Sequence, residues 1–201
     1  MSFHPLMEYD PGRFHHSERK IADEGAPFVF TPERRAKLDE ILTEYPPERK
    51  RSAVLAALYL VQEQEGYLTA NGMRHVAGIL DLTPAEVEDV ATYYVMFFKE
   101  KVGKYVLQVC RTLSCALNGA ERVTESLSEK LGIKVGETDP SGMFTLLEFE
   151  CLGACDRAPV VMVNNEHWHE HATPESCSKL IDDIKAKGEA ALSGCHLKVE
   201  K

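Results

Sequence analysis

Two cysteine pairs, Cys110-x4-Cys115 and Cys151-x3-Cys155, constrain this chain more than any other feature of its sequence. Each follows a short β-rich run, Tyr105 to Val109 before the first pair and Phe144 to Phe149 before the second, so both pairs sit where a strand is expected to end. Neighbouring strands lie about 4.8 Å apart, and loops leaving adjacent strands at one edge can gather four thiols around a small inorganic group. The first residues, MSFHPLMEYDPGRFHH, lack a basic stretch followed by an apolar one, so no export is expected and the thiols are expected to stay reduced. Metal or redox chemistry is then a better reading of the six cysteines than a disulfide framework.

Several chemistries suit four paired cysteines. An iron-sulfur cluster needs thiolate ligands and, once reduced, donors near its sulfurs. Gly153 and Ala154 leave the backbone amides of the second loop open to such a role. Arg111, Thr112, Ser114 and Arg157 flank the pairs and are further candidate donors. Structural zinc also takes four cysteines, although its ribbons and fingers usually carry a C-x2-C element. A dithiol oxidoreductase would need C-x-x-C, which is absent. Two disulfides or four buried thiols complete the alternatives. The paired spacing also departs from the plant-type C-x4-C-x2-C run, so a cluster here implies another scaffold.

The pairs lie in the second of two textures. From Thr31 to Phe98 the apolar spacing is helical, with Met73, Val76, Ala77 and Leu80 on one stripe and Val87, Val90, Ala91, Tyr94, Val95 and Phe98 on another. The spacing predicts helices near 32–44, 47–65, 70–80 and 84–97 in a small bundle over 31–98. Thr31-Pro32, Thr83-Pro84 and Thr173-Pro174 read as helix starts, and Glu86 completes a capping box with Thr83. After a linker at Lys99 to Lys104, an α/β domain is expected over 104–187. Its elements are a strand at 105–109, a helix at 117–131, a possible short strand at 133–135, strands at 144–149 and 160–163, and a last helix at 174–187. Residues 1–30 are expected to form a flexible arm and 188–201 a loose tail. The fold class is therefore α+β, a helical bundle followed by an α/β domain.

Function classes fall away with charge and hydropathy. A net charge of −9 leaves no footprint for nucleic acid or anionic lipid. The longest apolar run, Ala53 to Val61, is about half of the roughly 20 residues that span a bilayer, so no direct membrane insertion is expected. Neither G-x-G-x-x-G nor G-x-x-x-x-G-K-[ST] occurs, so nicotinamide and flavin are expected on a partner.

The stretches VATYYVMFF, GKYVLQVCRTLSCALNGA and GMFTLLEFECLGACDRAPVVMVNNE, with EQEGYLTA upstream, resemble the E subunit (24 kDa type) of NADH:quinone oxidoreductase, respiratory complex I, across roughly residues 34 to 187. The resemblance implies a thioredoxin-like ferredoxin domain behind the bundle, with Cys110, Cys115, Cys151 and Cys155 as the four ligands of one [2Fe-2S] cluster. It implies docking against a flavin-bearing, NADH-oxidising F subunit, so that FMN and NADH sit on that partner, beside further peripheral-arm subunits. The chain is then an electron carrier without its own substrate site, peripheral to the cytoplasmic face of the inner membrane. Residues 1–30 and 188–201 exceed the matching core, and a turn near Glu137 to Gly142 is slightly enlarged. Related subunits occur in NAD-linked formate dehydrogenases and multi-subunit hydrogenases, which gives the alternative host.

Other residues invite chemistry and are read more plainly. His167, His169 and His171 fall on one side of an extended segment, a possible metal site, but the segment runs into the Thr173 cap and is expected to be a solvated connection. Cys177 is expected to be a buried small hydrophobe and Cys195 an exposed thiol. Tyr93, Tyr94, Phe97 and Phe98 are expected to pack in a core or an interface rather than stack a cofactor. Ala158-Pro159 invites comparison with a cis-proline, yet trans is expected at least as much, because cis accounts for only about 5% of X-Pro bonds.

Overall fold

The computed structural model of the chain describes residues 24–192, and these divide into two compact units at Lys101–Val102. What the sequence suggests for 1–23 and 193–201, including Cys195, lies outside the described residues.

The first unit is a helical bundle: α1 (Pro32–Leu42), α2 (Val54–Glu65), α3 (Ala70–Leu80) and α4 (Pro84–Tyr93). Their starts are fixed by side chains that cover orphan amides. Thr31 and Thr69 accept from the N–H groups of Arg34 and Gly72, and Thr83 and Glu86 form the full capping box. Gly66, at φ 83°, closes α2 in the left-handed conformation that glycine adopts without strain. Leu38, Leu58, Val61, Val76, Leu80 and Val87 share the core.

The bundle departs from its sequence reading in three places. The helix expected over 47–65 is α only from Val54; Pro47–Ala53 is a 3-10 turn, and its charged run offers no apolar stripe before Ala53. The helix expected to reach 97 stops at Tyr93, because Gln62 takes over the backbone beyond it. Its amide donates to the Met96 carbonyl (3.1 Å) and accepts from the Phe98 N–H (2.7 Å). The arm expected to be loose to residue 30 is held from Glu24 onward. Asn71 donates to the carbonyls of Gly25 (2.9 Å) and Ala26 (3.2 Å), and Phe28 and Phe30 pack edge-on against His75 within the core.

In the second unit the sheet order is β2-β1-β3-β4, built from β1 (Tyr105–Cys110), β2 (Phe144–Phe149), β3 (Val161–Val163) and β4 (His167–His169). Strands β1 and β2 run parallel, with Tyr105 opposite Phe144 and Cys110 opposite Phe149. Strand β3 is antiparallel to β1, and β4 to β3. The unit also holds the short helix α5 (Leu113–Leu117) and the longer α6 (Ala120–Leu131) and α7 (Pro174–Lys187). Val123 and Leu127 of α6 and Ile181 and Ile184 of α7 share a core with Leu107, Val109 and Leu146 of the sheet.

Here too local chemistry corrects the sequence reading. The helix expected over 117–131 begins properly at Ala120, because Gly119 at φ 94° breaks it from α5. No strand forms at 133–135; Glu137 turns back to cap the Lys134 N–H (2.8 Å), and pairing resumes only as a bridge between Thr138 and Thr145. The Glu166 to His171 segment, expected to be a solvated connection, supplies the edge strand β4. Asn164 and Asn165, at φ 55° and 60°, provide the tight turn that feeds it. The tail is folded through Leu192: Gly188–Leu192 is a 3-10 turn that buries Leu192 in the core. The Ala158-Pro159 bond is cis.

Phe30 is 5% exposed, so Phe30→Ala is expected to destabilise the first unit by roughly 3–5 kcal/mol. Denaturant unfolding checks this, and a loss near zero would show that the arm only rests on the bundle.

Candidate metal centre

Parallel pairing of β1 with β2 sends both chains out at the same sheet edge, and the two cysteine loops begin there. Cys110 is the last residue of β1, and Cys115 lies on α5, one helical turn of chain later. Cys151 follows β2 after Glu150, and Cys155 opens the 3-10 turn Cys155–Arg157. Cys110 and Cys115 are each only 2% exposed, whereas Cys151 and Cys155 face solvent. The second loop turns at Gly153, whose φ of 81° leaves its N–H 3.4 Å from the Cys151 sulfur.

The thiols influence one another chiefly within each pair. The Cys151 and Cys155 sulfurs are 3.5 Å apart, and the neighbouring Cys110 thiol disfavours ionisation of Cys115. Cys155 feels the charge of Cys110, and Cys115 that of Cys155, so the two pairs form one electrostatic cluster. Burial, then the neighbouring Cys110, pushes the Cys115 thiol up to about 11. Cys155 is pushed up by its contact with Cys151, while the Gly153 N–H, and then Cys155, hold Cys151 below the ordinary thiol range. Cys151 thus ionises before Cys155 and Cys115, and its charge keeps Cys155 protonated.

Such crowding suits a group that brings its own positive charge, since a metal-bound thiol loses its proton outright. Two cysteine pairs suit the ligand set of a [2Fe-2S] centre, in which four cysteines serve two irons. Among the described residues no group of three or more His, Cys, Asp or Glu side chains is arranged to hold a metal ion by itself. Hydroxyls stand close to the sulfurs. Thr112 Oγ1 is 3.2 Å from Cys110 Sγ, and Ser114 eases ionisation of the Cys155 thiol. The two arginines are engaged by carboxylates, Arg111 with Glu148 at 3.8 Å and Arg157 with Glu170 at 2.8 Å.

Residues 38–185 match the sequence model of the thioredoxin-like [2Fe-2S] ferredoxins. The chain belongs to that family. Among curated relatives of this ferredoxin, the NADH-quinone oxidoreductase subunit 2 of Thermus thermophilus is 40% identical over 78% of this chain and 87% of its own length. The corresponding subunit of the same enzyme in Rickettsia felis is 42% identical over 78% of this chain and 93% of its own. The mitochondrial NADH dehydrogenase [ubiquinone] flavoprotein 2 of Dictyostelium discoideum is 39% identical over 85% of this chain and 69% of its own. In fold, the ferredoxin also resembles part of an NAD+-reducing [NiFe]-hydrogenase, at TM-score 0.59 and 20% identity, over 67% of this chain and 23% of that one.

Outside the ferredoxin's four paired cysteines, the other candidates have structural settings. Cys177 on α7 is fully buried, and burial pushes its thiol up to about 11. His169 bonds the Ser176 hydroxyl (3.2 Å), and burial holds its pKa below the usual imidazole value. His171 takes a left-handed φ of 49° and donates its N–H to the Arg157 carbonyl. Phe97 is buried in the bundle, while Tyr93 is exposed. Two features of the site escaped sequence reading: β4 behind the second loop, and the indole N–H of Trp168 on the Leu152 carbonyl (3.1 Å). The Asn164-Asn165 pair was an available signal for the first.

In the metal-stripped chain, Cys151 is expected to alkylate before Cys115 and Cys177 at neutral pH, because the thiolate is the reactive form. Raising the pH towards 11 should narrow the gap, as mass spectrometry of timed labelling would show. Labelling of Cys115 ahead of Cys151 would contradict this picture.

Proposed function

We propose that this ferredoxin is the electron-transfer subunit of an NADH-quinone oxidoreductase, carrying one [2Fe-2S] cluster on Cys110, Cys115, Cys151 and Cys155. The observation that carries the reading is the placement of two thiol pairs at the edge where two parallel strands end. Identity of about 40% with subunits of that enzyme supports the host. When bound, the cluster supplies one-electron redox chemistry. This chain's part is to hold, cover and tune.

The inner cysteines, Cys110 and Cys115, keep water from one side of the site, and the outer two leave the other side open to exchange. Thr112, Ser114 and the Gly153 N–H supply donors that favour added negative charge on the sulfurs. The net charge of −9 works against that charge and lowers the potential. No element of the chain offers a nucleotide-binding glycine motif, so NADH and FMN belong to the partner F subunit. That subunit docks where Leu113 and Leu117 stand 75% and 79% exposed on the helix that carries Cys115. The assembly sits at the cytoplasmic face of the inner membrane with the other peripheral-arm subunits. Among the described residues no helix is long and apolar enough to cross a membrane.

Serine in place of Cys110, Cys115, Cys151 or Cys155 is expected to alter or abolish the reduced-state EPR signal, whereas Cys177→Ser leaves it unchanged. A colourless protein holding one zinc, or the reverse mutational pattern, would end the cluster reading.

Glu in place of both Leu113 and Leu117 is expected to weaken capture of the flavin-bearing partner at least tenfold, on the scale of about 1.5–3 kcal/mol per buried leucine, with the EPR signal intact. Unchanged capture moves the docking surface elsewhere, and recovery of a hydrogenase or formate dehydrogenase partner changes the host complex.

A further inference from the structure

The second cysteine loop contains one peptide unit whose two polar ends have different partners. Its carbonyl, on Leu152, accepts the Trp168 indole N–H at 3.1 Å. Its N–H, on Gly153, points at the Cys151 sulfur at 3.4 Å. A trans peptide is planar, with C=O and N–H directed to opposite sides, so fixing one end aims the other. A turn of this unit about its chain axis would bring the carbonyl oxygen, a negative dipole end, toward the sulfur and take the donor away. Gly153 at φ 81° gives the loop little steric resistance to such a turn.

We propose that Trp168 is a positioning residue for electron transfer: its indole N–H holds the Leu152 carbonyl and so keeps the Gly153 N–H aimed at Cys151 Sγ. The proposal rests on the cluster reading above. Trp168 is well placed to do this because its backbone is fixed in β4, opposite Met162, and it packs, as Leu152 and Ala154 do, against the buried core. The same stretch of chain anchors the far end of the loop. Both carboxylate oxygens of Glu170 accept from Arg157 Nη1, at 2.8 and 2.9 Å, and the His171 and Ala172 N–H groups donate to the Arg157 and Pro159 carbonyls, each at 2.8 Å. Donation to a peptide carbonyl also polarises that peptide and strengthens its N–H as a donor. The indole therefore acts on the sulfur through one amide without touching it.

A donor to a ligand sulfur favours the reduced, more negative state, so losing the indole N–H lowers the potential. Trp168 is the chain's one tryptophan, which allows site-specific replacement by biosynthetic substitution. The full-length chain, loaded with iron and sulfide, is compared as wild type, as Trp168→Phe, and with 3-benzothienylalanine replacing tryptophan, which puts sulfur where the N–H was and keeps the bicyclic shape. The oxidised-to-reduced ratio at fixed potential is expected to rise about threefold in both variants, roughly 28 mV at 59 mV per tenfold for one electron. Pulsed EPR of the reduced state should show a weakened exchangeable-proton coupling. Faster loss of the cluster from the benzothienyl protein, with unchanged circular dichroism, counts the same way. A benzothienyl protein with wild-type potential, proton coupling and cluster lifetime overturns the proposal, even if Trp168→Phe differs, since packing alone then explains the ring. Wild-type chain that takes up no diiron centre overturns the cluster reading itself.

Discussion

The hydrogen-bonded register between β1 and β2 is the constraint on which the second unit depends. Because the strands are parallel and in step, Cys110 stands opposite Phe149, and the two cysteine loops start from one edge within a strand spacing of each other. An antiparallel pair would send the loops to opposite ends. A slip of one residue would turn Cys110 to the other face of the sheet and carry its thiol away from Cys115. The site is thus a property of strand pairing before it is a property of the loops.

Buried polar groups pin β1 to the turn between β3 and β4, and β2 to the segments beside it. Gln108 lies at the centre of β1 with no exposure, and its amide donates to Asn165 (2.6 Å) and accepts from the Asn165 N–H (3.0 Å). On β2, Thr145 accepts the Gly103 N–H (2.6 Å) and meets the Thr138 hydroxyl (2.7 Å). A shifted strand would leave these groups without partners in an apolar interior, a larger penalty than any single contact gains. Specificity of pairing comes from polar residues, and cohesion from Leu107, Val109, Leu146 and the helices above them.

Much of this was legible in the sequence because it is written locally. Thr-Pro starts, the Thr83-Glu86 box and stripes such as Met73, Val76, Ala77 and Leu80 act within a few residues, and each has its helix. The paired cysteines at strand ends were visible for the same reason. What stayed hidden depends on distant partners. The end of α4 at Tyr93 is decided by Gln62, more than thirty positions away along the chain. The ordering of Glu24 to Phe30 is decided by Asn71 and His75. Strand β4 is short, and the extended histidine alternation over 167–171 and the Asn164-Asn165 pair marked it without showing what it pairs with; its indole bond to Leu152 has no sequence signature at all.

The unequal depth of the cysteines sets an order of events for filling the site. On the proposed cluster reading, metal arriving from solvent would meet the outer pair first, where Cys151 gives up its proton more readily than Cys115 or Cys155. The inner thiols are reached only past that pair, and Cys115 surrenders its proton late. Assembly would then proceed from rim to floor, and corrosion by an oxidant would begin at the rim as well.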